Sequence, residues 1–164
     1  MKVIIISDIH DNLINLEKCL NWSKENKATE LICCGDMANS ETLKFLSKHF
    51  SGKIHLITGN ADLYELNEID KYNNIKYYGS IARFKIGNYW VGLCHQPYLI
   101  KKVLKLGKCD FVFYGHTHKP WISKEKDKTI LTNPGTLGGT FLDGTFTVWD
   151  VDKKDLKLKI VDKL

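Results

Sequence analysis

The sequence predicts a mixed α/β (α+β) fold with two packed β-sheets flanked by helices. Three observations carry that expectation. Short apolar runs alternate with helical spacing over the first part of the chain. Later segments instead alternate apolar with polar residues. A two-residue Gly87-Asn88 turn joins the first pair of these later segments.

Residues 3–6, Val-Ile-Ile-Ile, read as a strand buried on both faces. Leu13, Leu16 and Leu20 then recur at helical spacing, with Asn12 as the N-cap. Residues 31–34 form a second short run. A helix that Ser40 caps follows, carrying Leu43, Phe45, Leu46 and Phe50, and it leads to a third run at residues 54–58. Such strand–helix–strand units make parallel strands with right-handed crossovers, and their ligands bind beyond the carboxyl ends of the strands.

A second sheet is expected to begin with the hairpin of residues 81–86 and 89–93. Residues 98–106 read as a helix, with Pro97 at its first position and Gly107 as its stop. Residues 110–114 are a further apolar strand. From residue 122 the text is hairpin-like, with residues 128–132, 146–151 and 156–161 each alternating in character.

At 164 residues and 43% apolar content the chain suits one domain spanning residues 1–164. No apolar run approaches the length that crosses a bilayer, and the N-terminus enters a strand pattern directly. These features predict a soluble, cytoplasmic protein with no membrane partner. Cys19, Cys33, Cys34, Cys94 and Cys109 form an odd set without a Cys-x-x-Cys pair, which argues against a disulfide framework or a zinc ribbon. A net charge of +5 attracts anionic substrates mildly but is too dispersed to mark a nucleic-acid groove. The lysines at 101, 102, 105 and 108, and at 153, 154, 157 and 159, read as solvated faces.

The chemistry is concentrated where apolar runs end. Asp8-Ile9-His10, Gly35-Asp36, Gly59-Asn60, His95 and Gly115-His116-Thr117-His118 each stand just past such a run. Carboxylate, imidazole and carboxamide are hard or borderline donors for divalent first-row cations. Asp8, His10, Asp36, Asn60, His95, His116 and His118 are too many for one tetrahedral ion, but they suit two octahedral ions sharing a carboxylate. If the segments are extended, residues two apart project to one side, which pairs Asp8 with His10 and His116 with His118. His49, in a helix, and His55, in a strand, are left out of the site. Arg83, Tyr64 and Trp121 read as packing residues rather than phosphate or base contacts.

In their order, these five motifs resemble those of the calcineurin-like metallophosphoesterases. Asn133-Pro134-Gly135-Thr136 resembles the Asn-Pro-Gly-Ser segment of the small prokaryotic-type phosphodiesterase branch, so the resemblance runs from the first strand to about Gly138. It implies an α/β/β/α sandwich. It also implies that Asp8, His10 and His118 hold one metal, that Asn60, His95 and His116 hold the other, and that Asp36 bridges them. Asp36, Asn60 and His95 then take the catalytic places. The implied reaction is hydrolysis of a P–O bond in a small phosphate ester by a hydroxide shared between two divalent metals. Manganese is the expected ion, with iron, nickel or zinc able to use the same donors.

Two positions depart from the family pattern. Many relatives carry a histidine directly after the asparagine, where this chain has Ala61 and then Asp62. Relatives often continue the fourth motif as His-Gly-His, where this chain has His95-Gln96-Pro97. Asp62 is left either to donate a proton or to orient a ligand such as His95. Without the histidine acid, activated esters or diesters are expected to be better substrates than alkyl monoesters. A protein-binding scaffold of the same fold is the alternative expectation, and a nuclease is a third. The oligomeric state is open.

Overall fold

Val3 and Ile5 point to one side of their strand and Ile4 and Ile6 to the other, and all four are fully buried. Strand β1 (Lys2–Ile6) therefore lies between two apolar layers, as its unbroken aliphatic text requires. The structure is a computed structural model that describes residues 1–164.

From β1 the chain runs through α1 (Leu13–Glu25), β2 (Glu30–Cys33), α2 (Ser40–His49), β3 (Lys53–Leu56), α3 (Leu66–Ile69) and β4 (Ile75–Tyr77). It continues through β5 (Ile81–Ile86), β6 (Tyr89–Cys94), a 3-10 turn at Pro97–Leu99, α4 (Ile100–Lys105) and β7 (Phe111–Phe113). The last strands are β8 (Trp121–Lys124), β9 (Ile130–Asn133), β10 (Thr145–Asp150) and β11 (Asp155–Ile160). One sheet has the order β11-β10-β1-β2-β3-β4 and the other β5-β6-β7-β9-β8. Strands β1 to β4 pair in parallel, as do β6, β7 and β9.

Each of three apolar clusters fills one interlayer space. Leu16, Cys19, Leu20, Leu43 and Leu46 of α1 and α2 pack on Ile4, Ile6, Leu31 and Leu56, covering the outer face of the first sheet. Val3, Ile5, Ile32, Phe84, Leu93, Phe111, Phe113 and Trp149 meet between the sheets. Leu99, Val103 and Cys109 cover Cys94 and Val112 on the outer face of the second sheet. The result is the four-layer sandwich with two mixed sheets that the sequence predicts. Burying each large side chain in such a layer stabilises the fold by roughly 1.5–3 kcal/mol.

Several details differ from expectation. Strand β4 and helix α3 are short elements between the third run and the hairpin, where the sequence marks neither. Their brevity leaves no periodicity to see. The C-terminal hairpin of β10 and β11 joins the first sheet beside β1 rather than extending the second. Ser40 does not cap α2. The N-cap position is Asn39, whose side chain makes no cap bond, and the Asp11 carboxylate braces this end from another segment, accepting the Asn39 N–H at 3.0 Å and the Thr42 hydroxyl at 2.6 Å. Asn12 caps α1 as expected, accepting the Asn15 N–H at 3.0 Å.

The two histidines left out of the site have structural partners. His49 sits on the helix surface against the Phe45 carbonyl. His55 is buried between the sheets and stacked on Phe84, with Tyr78 at 2.8 Å from Nδ1 and Glu30 at 2.7 Å from Nε2. The hydrogen bond from His55 holds the Glu30 carboxyl below its ordinary range against the effect of burial, and the charges of His55 and Lys53 add to it. Glu30 therefore stabilises the fold above its unfolded-state pKa of about 4.3, and that contribution is lost as pH falls through the lower folded value. Thermal unfolding followed from about pH 6 to about pH 3 is expected to show a steeper acid decline for wild type than for Glu30→Gln. Parallel declines would contradict the role given to this pair.

Candidate metal centre

Beyond the last residues of β1 and β2 the backbone stays paired. The amides of Asp8, Ile9, His10 and Asp11 donate in turn to the carbonyls of Gly35, Asp36, Asp36 and Met37 at 2.8–3.2 Å. The 115–138 region closes on the same strand end: Gly115 N–H donates to the His95 carbonyl, and Gly138 N–H to that of Asp8. Thr136 adds its hydroxyl to the Asp8 carbonyl at 2.8 Å. Ligand-bearing loops from both sheets are thereby tied to one another as well as to their strands.

Five of the seven candidate ligands, Asp8, His10, Asp36, His116 and His118, have φ between +47° and +70°. This left-handed region costs non-glycine residues about 1 kcal/mol or more each, and such strain gathers where function needs it. The pairing inferred from extended geometry is therefore corrected. Asp8 and His10 do converge, but on left-handed turns rather than on an extended segment. His116 and His118 have different partners in the crevice. His118 joins Asp8 and His10, while His116 turns to Asn60.

All seven predicted residues come together. His118 Nε2 lies 3.2 Å from Asp8 Oδ1 and 3.2 Å from His10 Nε2. Asp36 Oδ2 lies 3.2 Å from His95 Nε2 and 4.0 Å from His10 Nε2, with one ring from each proposed set on either side of it. His116 Nδ1 is 2.8 Å from Asn60 Oδ1. The donor atoms of Asp8, His10 and His118 all lie within 4.8 Å of one another, and so do those of Asp8, Asp36 and His95.

Backbone groups aim these atoms. Asp8 Oδ2 accepts the His116 N–H at 3.0 Å, leaving Oδ1 turned inward. Asp36 Oδ1 accepts the Ala61 N–H at 2.7 Å, leaving Oδ2. His95 Nδ1 stands 2.7 Å from the Cys34 carbonyl, which can only accept, so the proton sits there and Nε2 faces the centre. Asp8, His95 and Asp36 are 0%, 0% and 2% exposed. Burial opposes charge on both His95 and Asp36, yet their mutual attraction wins. It lifts the imidazole above its ordinary range and lowers the carboxyl below its own.

These residues fit a cation. Asp8 Oδ1 and His95 Nε2 are buried polar atoms that make no well-formed hydrogen bond and have only ionic contacts, with His118 and Asp36, at 3.2 Å. Leaving such atoms unpaired is costly, and divalent metals satisfy both donor types. The facing nitrogens of His10 and His118 likewise direct their ring edges at one small space.

Asp62 takes the second role expected of it, orienting ligands as an acceptor, but it acts on loops other than that of His95. Its oxygens accept the backbone N–H groups of Asp36, Met37, Ala38 and Gly59, two of them at 2.7 Å. It clamps the Asp36 loop to the Asn60 loop. Asp11 is a further support that the sequence does not single out, and Thr136, noted there only as the end of the Asn-Pro-Gly-Thr segment, is another. Only the presence of an acid or hydroxyl near a motif hints at them. Asn133 braces the late motif, donating to the Gly115 carbonyl at 2.8 Å. Arg83 and Tyr64 serve packing: Arg83 lies over Trp90 and bonds the Lys108 carbonyl, and Tyr64 is in the core. Trp121 is exposed on strand β8.

A sequence model of the calcineurin-like phosphoesterase superfamily domain matches residues 1–154. The chain belongs to this superfamily. The match supports metal-dependent hydrolysis of phosphate esters, an ester-bond hydrolase chemistry. A phosphodiesterase of Methanocaldococcus jannaschii is 29% identical over 165 residues, covering 96% of this chain and 97% of that protein. The fold is shared with a solved archaeal phosphodiesterase at a TM-score of 0.87 and 24% identity, over 98% of this chain and 99% of that one. It is also shared with Vps29 of Entamoeba histolytica complexed with zinc, at a TM-score of 0.71 and 19% identity, over 96% and 90% of the two chains.

Glycines let the loops approach this closely. A Cβ on Gly59 would lie 2.0 Å from Asp36 Oδ1, and one on Gly115 would lie 2.7 Å from Asp8 Oδ2 and 1.9 Å from Ser7 Oγ. Gly59→Ala and Gly115→Ala are therefore expected to weaken manganese binding roughly 10- to 100-fold in calorimetric titrations by displacing the carboxylates. Wild-type affinity in both variants would show that the close approach is not needed.

Proposed function

We propose that this chain is a two-metal phosphodiesterase in which Asp8, His10 and His118 hold one cation, Asn60, His95 and His116 hold the other, and Asp36 serves both. The observation that carries this reading is the grouping of Asp8, His10 and His118, and of Asp8, Asp36 and His95, around the buried Asp8 Oδ1 and His95 Nε2, with Asn60 and His116 paired with each other at the exposed rim. Two bound cations would supply the Lewis acidity and the acidified water needed to attack phosphorus in line. Manganese is the favoured ion by donor type, with iron, nickel and zinc as competitors. The substrate is a small phosphate ester.

The protein's own part is positioning. Asp8 and Asp36 are each fixed by a backbone N–H on one oxygen, so the other oxygen is presented in a set direction. His95 is fixed by the Cys34 carbonyl. Ala61 offers no proton, and Asp62 is fully engaged with backbone amides. A leaving group must therefore depart without protonation from this loop. That favours aryl leaving groups and diesters over alkyl monoesters by up to the ~10²- to 10⁴-fold that general acid catalysis contributes. Ala61 is also the feature that favours the second reading, a metallophosphoesterase-fold protein that binds partners and turns over little.

The test is a panel of aryl diester, aryl monoester and alkyl monoester assayed with manganese, with chelator, and in Asp36→Asn. The aryl diester is expected to turn over best, chelator to abolish the reaction, and Asp36→Asn to lower kcat/KM by roughly 100-fold or more. Activity that survives complete metal removal contradicts the mechanism. Tight manganese binding without turnover of any ester would instead favour the scaffold.

A further inference from the structure

Gln96 follows His95 directly and is half-buried at the edge of the centre. Its backbone is firmly held. Gln96 has φ −83° and ψ 139°, Pro97 opens the 3-10 turn after it, and its carbonyl accepts the Leu99 N–H at 3.0 Å. The side chain reaches toward Asn60, with Nε2 donating to Asn60 Oδ1 across 3.4 Å. That bond is long and weak beside the 2.8 Å contact of His116 Nδ1 with the same oxygen. Asn60 Oδ1 is also the hard donor that a cation would take. Its capture by a cation would leave the Gln96 N–H without this partner at the rim of the centre.

Charge narrows the choice of ligand. The chain has one arginine, Arg83. Its Nε and Nη2 donate to the Lys108 carbonyl at 3.0 and 2.9 Å, and its guanidinium covers Trp90 at 3.5 Å. No guanidinium is available to grip a phosphate dianion in the two-pronged way that suits it. A carboxamide adds a hydrogen bond without adding charge. That suits the single negative charge of a diester better than the double charge of a monoester.

Resting on the phosphodiesterase reading, we propose that Gln96 is a substrate-contact residue whose carboxamide donates to a non-bridging oxygen of a phosphodiester monoanion. It confers preference for monoanions over dianions. Gln96 neither protonates the leaving group nor holds metal.

The test compares wild type, Gln96→Met, which keeps length without a donor, and Gln96→Arg, which adds charge. Manganese affinity is measured by calorimetry. Binding of diethyl phosphate and of inorganic phosphate at mildly alkaline pH is measured on the manganese-loaded protein, with thermal unfolding reporting that each variant folds. Gln96→Met is expected to weaken diethyl phosphate about 10-fold while manganese affinity stays within about threefold. Gln96→Arg is expected to shift preference toward inorganic phosphate by about 10-fold. Unchanged diethyl phosphate binding in Gln96→Met overturns the proposal. A parallel loss of manganese also overturns it, because Gln96 would then act only by positioning Asn60. Wild type that binds manganese and cleaves a diester, with Gln96→Met indistinguishable from it, removes this inference alone. Wild type that binds neither manganese nor diethyl phosphate removes the phosphodiesterase reading with it.

Discussion

Two carboxylates, Asp8 and Asp36, are buried at the meeting point of the two sheets, and everything around them follows from what a buried negative charge requires. Each is fixed by a single backbone N–H on one oxygen, and each turns the other oxygen toward imidazole rings. Asp36 and His95 attract each other, and burial opposes charge on both. Two like charges brought this close in a low-dielectric setting repel strongly, and a divalent ion is the group that reverses the sign of that interaction.

The fold serves this constraint by ending its strands at one place. β1, β2 and β3 are parallel in the first sheet, and β6 and β7 are parallel in the second, so the five motif-bearing ends gather at one edge of the sandwich. Tight left-handed turns then reverse the side chains inward. Hydrogen bonds between successive loops, with Asp62 and Asp11 as carboxylate clamps, hold those turns against their strain. The geometry of the candidate ligands is thus fixed by backbone groups.

The long strands and the two larger helices are legible in the sequence because both faces of β1 and the inner stripes of α1 and α2 carry aliphatic residues at regular spacing. The candidate ligands are legible because Asp8, Asp36, Asn60, His95 and His116 each stand just past an apolar run, and parallel strands bring such ends to one crevice. Much of the rest is hidden for physical reasons. β4 and α3 span three and four residues, too few for any period. The left-handed turns leave no mark beyond residue type, so the extended backbone expected for these segments is not what brings their side chains to the crevice. Asp62, Asp11 and Thr136 act through backbone amides, carbonyls and a hydroxyl distant in sequence, contacts that no local pattern encodes. The sheet joined by the C-terminal hairpin is equally hidden, because alternation shows that a strand has two faces but not which neighbour it pairs with.

These seven side chains are proposed to hold a pair of neighbouring cations. Anomalous diffraction from crystals of the protein grown with manganese would locate them. Two peaks are expected, one beside Asp8, His10 and His118 and one beside Asn60, His95 and His116, with Asp36 in contact with both. A single peak, or manganese bound only away from these residues, would contradict the proposal.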